Sequence, residues 1–143
     1  MADLQKEAGP RLGLVSAEVP LISNLDVLRN IALIYQYHRD ASKKNALDFV
    51  RQCLRRYGLE KIAHKKNPEL SDDERFSVMV LRAAMVEQAV VAIDRPFKML
   101  HYHNDISFIY ETLGKIDDLF VRCDIFDYYQ EKHKCELIHD SES

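Results

Sequence analysis

Apolar residues recur at helical spacing in three segments between residues 23 and 88. The first segment follows Pro20, and Ser23 or Asn24 is expected to cap its helix. The second, KKNALDFVRQCLRRYG, ends at Gly58, a residue suited to the end of a helix. The third covers residues 72–88. The apolar faces of the first two helices are expected to consist of Leu25, Leu28, Ile31, Ala32, Leu47, Val50 and Leu54.

Four short apolar runs predict β-strands: RLGLVS, VVAID, LFVRC and CELI. VVAID is rich in β-branched residues up to Asp94, which is typical of a strand buried on both faces of a parallel sheet. A fourth helix is predicted over residues 107–116. This order of helices and strands predicts an α/β fold.

The length of the chain predicts one domain. The opening MADLQKEAGP is polar and ends in a Gly-Pro pair, so residues 1–10 are expected to form a loose segment. Residues 11–143 then form a single domain, with a helical subdomain over residues 23–88 and an α/β part over residues 89–139.

The composition is that of an ordinary globular chain, 47% hydrophobic and 30% charged. Its longest apolar runs, VVAI and IALIY, are far shorter than the roughly 20 residues of a membrane-spanning helix. No basic, apolar, small-residue signal opens the chain, so a cytoplasmic location is expected. The formal net charge is −3, and we expect the basic residues to be scattered among acidic ones. We therefore expect neither nucleic-acid binding nor direct membrane insertion.

The cysteine and histidine positions do not predict a metal centre. The three cysteines are odd in number and widely spaced, which suits reduced cytosolic thiols. HYH at residues 101–103 and the set His133, Cys135 and His139 lack the paired CxxC or HExxH spacing of a zinc site. We expect no bound metal and no cofactor.

The stretch LSDDE opens the third helix with a capping box. Ser71 and Glu74 are three residues apart, so each side chain can bond the exposed amide of the other residue. Asp72 and Asp73 lie where the positive end of the helix dipole favours carboxylates, by about 0.3 to 1 kcal/mol each at a surface. Taken alone, SDDE is typical of a well-made helix start.

The wider segment 70–97 resembles, without a gap, the nucleotide-binding domain of ABC transporters. In that family a signature LSGGE opens a helix that runs through an Arg-Ala pair into an apolar strand ending DEP. The matching residues here are Leu70, Ser71, Glu74, Arg75, Val78, Arg82, Ala83, Asp94, Pro96 and Phe97.

The resemblance continues upstream and covers residues 12–97. LGLVSAEVPLISNLDVLRNIAL is similar to the family's strand, Q-loop and first helix of the helical subdomain, and YGLEKIAHKKNPEL to its approach to the signature. The resemblance implies a partial P-loop NTPase-like fold, a helical subdomain with a remnant of the parallel sheet. It also implies a truncated member, because the Walker A half that precedes the Q-loop strand is expected to be absent.

Several positions depart from the family's pattern. No GxxxxGK[ST] phosphate loop occurs in the chain, and the Q-loop glutamine falls on Ala17. The two signature glycines, whose amides approach the γ-phosphate of the opposing subunit's nucleotide, are Asp72 and Asp73. These carboxylates are expected to repel a triphosphate.

The Walker B segment also departs from the family's chemistry. The Walker B aspartate is kept as Asp94, but the catalytic glutamate is Arg95, which is always protonated and cannot act as a base. Arg95 is expected to pair with a nearby carboxylate. The switch histidine falls near Asp124, after the strand LFVRC. Read individually, Asp94 is also expected to end a buried strand, and Arg82 to be a helix-surface charge.

Three function classes follow. The first is a noncatalytic interaction subunit, a pseudo-ATPase that binds or regulates an ABC transporter permease or ATPase subunit, or self-associates. The second is a split ATPase whose partner supplies the P-loop, and the third is a gene remnant without a role. For the first class, the family's docking of a short permease helix implies a groove beside residues 16–20, and the location is then peripheral, at the inner face of the membrane through the partner. The apolar contacts of that groove are expected from Val19, Leu21, Ile22 and Leu25.

Overall fold

A computed structural model describes residues 2–126 of the 143-residue chain. The predicted strand CELI and the end of the predicted α/β part, residues 127–139, lie outside the described residues. The helices are α1 (Ala2–Ala8), α2 (Val27–Arg39), α3 (Lys43–Arg56), α4 (Asp72–Ala84) and α5 (Ser107–Lys115), and the strands are β1 (Leu12–Val15), β2 (Ala89–Asp94) and β3 (Phe120–Phe126).

The three strands form a parallel sheet in the order β1-β2-β3. Every residue of the central strand β2 is buried. One face of the sheet packs on the main core with α4, and the other is covered by Leu4 and Ala8 of α1, which contact Val90, Ala92 and Phe126. This confirms the buried parallel strand that VVAID predicts.

The N-terminal segment, expected to be loose, begins with a helix instead. Leu4 and Ala8 are four residues apart and lie on one face of α1, where both are buried against the sheet. Arg122 of β3 donates a hydrogen bond of 3.2 Å to Glu7, which adds a polar contact. The sequence prediction missed this helix because it weighed the polar residues of the segment and not the spacing of this apolar pair.

Two helix boundaries differ from the sequence prediction. Helix α2 is capped by Asp26, whose side chain accepts from the Arg29 amide, rather than by Ser23 or Asn24. Its first amides, on Val27 and Leu28, bond to carbonyls of the loop at residues 63–65, which fixes the start of the helix. Helix α4 ends at Ala84, before a turn with left-handed backbone at Gln88 leads into β2.

Helix α4 links the helices to the sheet. It contacts α2 on one side and strands β1 and β2 on the other. Gly13 allows this close approach, because a Cβ there would lie 2.9 Å from the Ala83 carbonyl carbon and 3.0 Å from its Cβ. The loops at the ends of β1 and β2 are thereby held beside α4.

None of the helices within residues 2–126 has the length and apolar character needed to cross a membrane.

Candidate functional site

The carboxyl ends of β1 and β2 lie side by side and bring together the positions that match the Q-loop and Walker B motifs. Val15 of β1 pairs with Ile93 of β2, so Ser16 and Asp94 follow at the same edge of the sheet. Ser16 donates a hydrogen bond of 3.2 Å from Oγ to Asp94 Oδ2. Ala17, at the Q-loop glutamine position, is exposed and offers only a methyl group.

Arg95 lies directly on the Walker B carboxylate. Its Nη2 is 3.3 Å from Asp94 Oδ2 and 3.1 Å from Glu18 Oε1. The backbone of Arg95 is left-handed, with φ at 47°, and its amide donates to the Phe126 carbonyl at 2.7 Å. The predicted ion pair of Arg95 with a nearby carboxylate is confirmed.

The electrostatics of this corner favour a charged guanidinium. The hydrogen bond to Asp94, followed by the attraction of its charge, raises the pKa of Arg95 above its ordinary value. Asp94 itself is 7% exposed and terminates β2, as the structural interpretation of that residue predicts. Its Oδ2 is shared by the Ser16 hydroxyl and the Arg95 guanidinium, whereas its buried Oδ1 has no hydrogen-bond partner within the described residues.

The signature-like segment forms the predicted capping box. Ser71 Oγ accepts from the Glu74 amide at 3.1 Å, and Glu74 Oε1 accepts from the Ser71 amide at 2.9 Å. Leu70 is buried beneath the segment. The amides at the start of α4 are therefore partly occupied by the helix's own side chains.

Two histidines hold the aspartates at the start of α4. His101 Nδ1 lies 3.0 Å from Asp72 Oδ2, and His103 Nε2 lies 2.8 Å from Asp73 Oδ1. The hydrogen bond with His101, the largest contribution, lowers the pKa of Asp72, and Arg75 lowers it further. Sequence reasoning considered HYH only as a metal site and missed this pairing, because the partners are 29 and 30 residues apart.

Arg82 anchors the loop that follows β1. Its guanidinium donates to the Val19 carbonyl at 2.6 Å and to the Pro20 carbonyl at 3.0 Å. The residue is 8% exposed, and burial lowers the pKa of its side chain. The interpretation of Arg82 as a helix-surface charge is therefore wrong.

Asn30 anchors the next part of the same loop. Its Oδ1 accepts from the Ile22 amide at 2.8 Å, and its Nδ2 lies 3.1 Å from the carbonyls of Ile22, Leu25 and Asp26. Val19 and Ile22 remain exposed, at 41% and 42%. Leu25 is half-buried, whereas Leu21 is buried in the core and supports the loop from inside rather than lining its surface.

The position matched to the switch histidine does not follow its strand. Asp124 lies within β3, fully buried, and accepts from Arg122 Nη2 at 2.7 Å and Nε at 3.0 Å. The strand continues to Phe126, so the alignment that placed the switch position at Asp124, after the strand, is wrong. Asp124 instead forms an ion pair inside the sheet.

Within residues 2–126, no group of three or more histidine, cysteine or carboxylate side chains could hold a metal ion. His101 and His103 are both engaged with carboxylates. The set His133, Cys135 and His139 lies outside the described residues.

Comparison with known proteins identifies related sequences and folds. No protein-family model matches the chain. Over 95 residues, 66% of its length, the chain is 32% identical to the nitrate import ATP-binding protein NrtC of Synechocystis sp.. The chain spans only 14% of that relative.

Solved structures with the same fold include two of the ABC transporter cassette MJ0796. The dimeric structure superposes with a TM-score of 0.62 at 21% identity, and the dimeric post-hydrolysis state bound to ADP and Pi with 0.60 at 22% identity. Both superpositions cover 92% of this chain and 59% of the cassette. The sequence match and the shared fold confirm the resemblance inferred from the sequence: the chain corresponds to part of an ABC transporter ATP-binding domain and has the α/β fold of P-loop NTPases.

Proposed function

We propose that the chain is a noncatalytic, ABC ATPase-like interaction subunit that binds or regulates an ABC transporter. The observation that carries this proposal is the position of Arg95, with Nη2 3.3 Å from Asp94 Oδ2 and 3.1 Å from Glu18 Oε1. A guanidinium lies beside the kept Walker B carboxylate of Asp94, at the position where the family has its general base.

The residues of this corner do not fit magnesium and ATP. Mg²⁺ requires carboxylate or water oxygens at short range, and a permanently charged guanidinium beside Asp94 repels the cation. Ala17 supplies no oxygen, and Arg95 cannot accept a proton. A partner that brought only a P-loop would leave these defects in place, so a split ATPase is disfavoured.

The start of α4 also does not fit a phosphate. Helix starts bind anions through free amides and a positive dipole end. Here Asp72 and Asp73 place negative side chains at that end, held by His101 and His103. The signature-like segment therefore serves the protein's own structure in this proposal.

The loop between β1 and α2 is the proposed docking element. Arg82 and Asn30 fix its backbone, while Val19 and Ile22 point apolar side chains to solvent. A fixed loop loses little conformational freedom when a partner binds. The partner we propose is an ABC transporter permease or ATPase subunit at the cytoplasmic face of the membrane, with self-association as the alternative.

The test is capture of transporter components from the native cell by the tagged chain. We expect the wild type and Arg95→Ala to retain a permease or ATPase subunit identified by mass spectrometry, and Ile22→Asp to lose it. Circular dichroism should show that all three proteins fold. Folded wild-type chain that retains no transporter component would contradict the proposal and favour a gene remnant.

A further inference from the structure

The charges of the chain are strongly segregated. Residues 27–66 contain ten of the 20 lysines and arginines but only three of the 23 aspartates and glutamates. This range therefore has a formal charge of about +7 and the rest of the chain about −10, by the usual ionisation of these side chains. The expectation that basic residues are scattered among acidic ones is wrong for α2, α3 and the loop after them.

Many of these cations are free of carboxylates. All but Lys65 are classed as exposed, and Lys65 is half-buried. Within residues 2–126, five of the ten form no ion pair: Arg39, Lys43, Lys61, Lys65 and Lys66. Cations that form no ion pair with a carboxylate remain available to attract an external anion.

Contacts place part of this charge on one face of the α2–α3 hairpin. Arg29 and Leu33 of α2 lie across a groove of about 170 Å³ from Lys43 and Leu47 of α3. Lys44 and Arg51 are three and four residues from Leu47, and so share its side of α3. At the start of α2, Asp26 pairs with Lys66 in an antiparallel bridge, which brings Lys65 and Lys66 alongside.

We define the basic face as Arg29, Lys43, Lys44, Arg51, Lys65 and Lys66. Two carboxylates lie near this face. Asp26 pairs with Arg29, and Asp48 pairs with Lys44 and Arg51. Apolar groups accompany the cations, since Leu33 is 46% exposed and Tyr37, one turn further along α2, is 82% exposed.

We propose that the basic face binds the surface of a membrane that contains anionic phospholipids. Each lysine or arginine near such a surface contributes about 1 kcal/mol of attraction. Exposed leucine and tyrosine on the same face suit the boundary between headgroups and acyl chains. The net negative charge of the chain does not prevent binding, because charges more than about 10 Å away are largely screened at 0.1 M salt. Segregated charge instead orients the molecule, basic face toward the lipid.

The test is co-sedimentation of the 143-residue chain with two kinds of vesicle. One contains phosphatidylcholine alone, and the other contains about 30 mol% phosphatidylglycerol, which gives it a negative surface potential. We expect binding only to the anionic vesicles at about 0.1 M salt, and its loss as salt is raised to about 0.5 M. The triple variant Lys43→Gln, Lys44→Gln, Lys66→Gln should lower the partition coefficient by about a hundredfold.

The matched control has the same net charge with the substitutions elsewhere: Lys6→Gln, Lys98→Gln, Lys115→Gln. It should bind anionic vesicles within about threefold of the wild type, since these lysines lie outside the basic face. Equal loss in both triple variants, binding to neutral vesicles, or no binding to anionic vesicles at about 0.1 M salt would each overturn the proposal. So would tighter binding to a nucleic-acid duplex or an acidic peptide of equal charge. Because the vesicles contain no protein, the outcome does not depend on the proposed transporter partner.

Discussion

Two arginines have opposite consequences for the site. Arg95 is 32% exposed at its side chain and forms ion pairs with the carboxylates of Asp94 and Glu18. Arg82 is buried and donates to the backbone carbonyls of Val19 and Pro20, so its charge stabilises a loop. The Arg82 guanidinium thus contacts loop backbone in this chain, whereas Arg95 is the residue on which the noncatalytic proposal rests.

We predict that Arg82→Met destabilises the protein by about 2 to 3 kcal/mol, because two carbonyls lose hydrogen bonds to a charged donor. The matched control Arg51→Met removes an exposed guanidinium that pairs with Asp48, and should change stability by less than about 0.5 kcal/mol. Urea unfolding followed by circular dichroism measures both. Equal midpoints for the two variants would show that Arg82 does not anchor the loop.

The elements that could be predicted from the sequence are those specified by local chemistry. The capping box at Ser71, the end of α3 near Gly58 and the uninterrupted apolar run in β2 each depend on neighbours a few residues away. The start of α2 could not be predicted in this way, because its amides bond to residues 63 and 65. The hydrogen-bond partners of the site residues, such as His101 for Asp72, could not be predicted either, because they are distant in the sequence.

At the start of α4, acid should remove a stabilising contact. His101 and Arg75 lower the pKa of Asp72 in the folded chain, so its contribution to stability is fully present above its unfolded pKa of about 3.9. That contribution is lost as the pH falls through the lower, folded value. Asp72→Asn should therefore be less stable than the wild type at about pH 5, and the difference should shrink as the pH falls below about 3.9 toward about 2.5.

Urea unfolding at a series of pH values measures this difference. The control His101→Gln removes the largest contribution to the lowered pKa of Asp72. The difference in stability between His101→Gln and the double variant His101→Gln, Asp72→Asn should therefore depend less on pH. A gap between wild type and Asp72→Asn that stays constant from pH 5 to 2.5 would mean that the histidine contact contributes nothing.

For the whole molecule, the backbone fold and the side chains at the candidate site have to be considered separately. The parallel sheet, α4 and the loop after β1 reproduce the fold of an ABC cassette over 92% of this chain. At the carboxyl ends of β1 and β2, Asp94 Oδ2 accepts hydrogen bonds from the Ser16 hydroxyl and the Arg95 guanidinium. The proposed interaction role rests on this shared fold and on the loop between β1 and α2, whose backbone is fixed by Arg82 and Asn30.

The most direct test of the noncatalytic proposal is ATP hydrolysis by the complex isolated from the native cell. Complexes that contain wild-type chain or Asp94→Asn chain are compared at saturating magnesium and ATP, with matched amounts of folded chain. We expect equal rates, because any hydrolysis would belong to the partner, and no phosphate release by the chain alone. A fall of tenfold or more in the Asp94→Asn complex would show that this carboxylate takes part in catalysis, and the chain would then be half of a split ATPase.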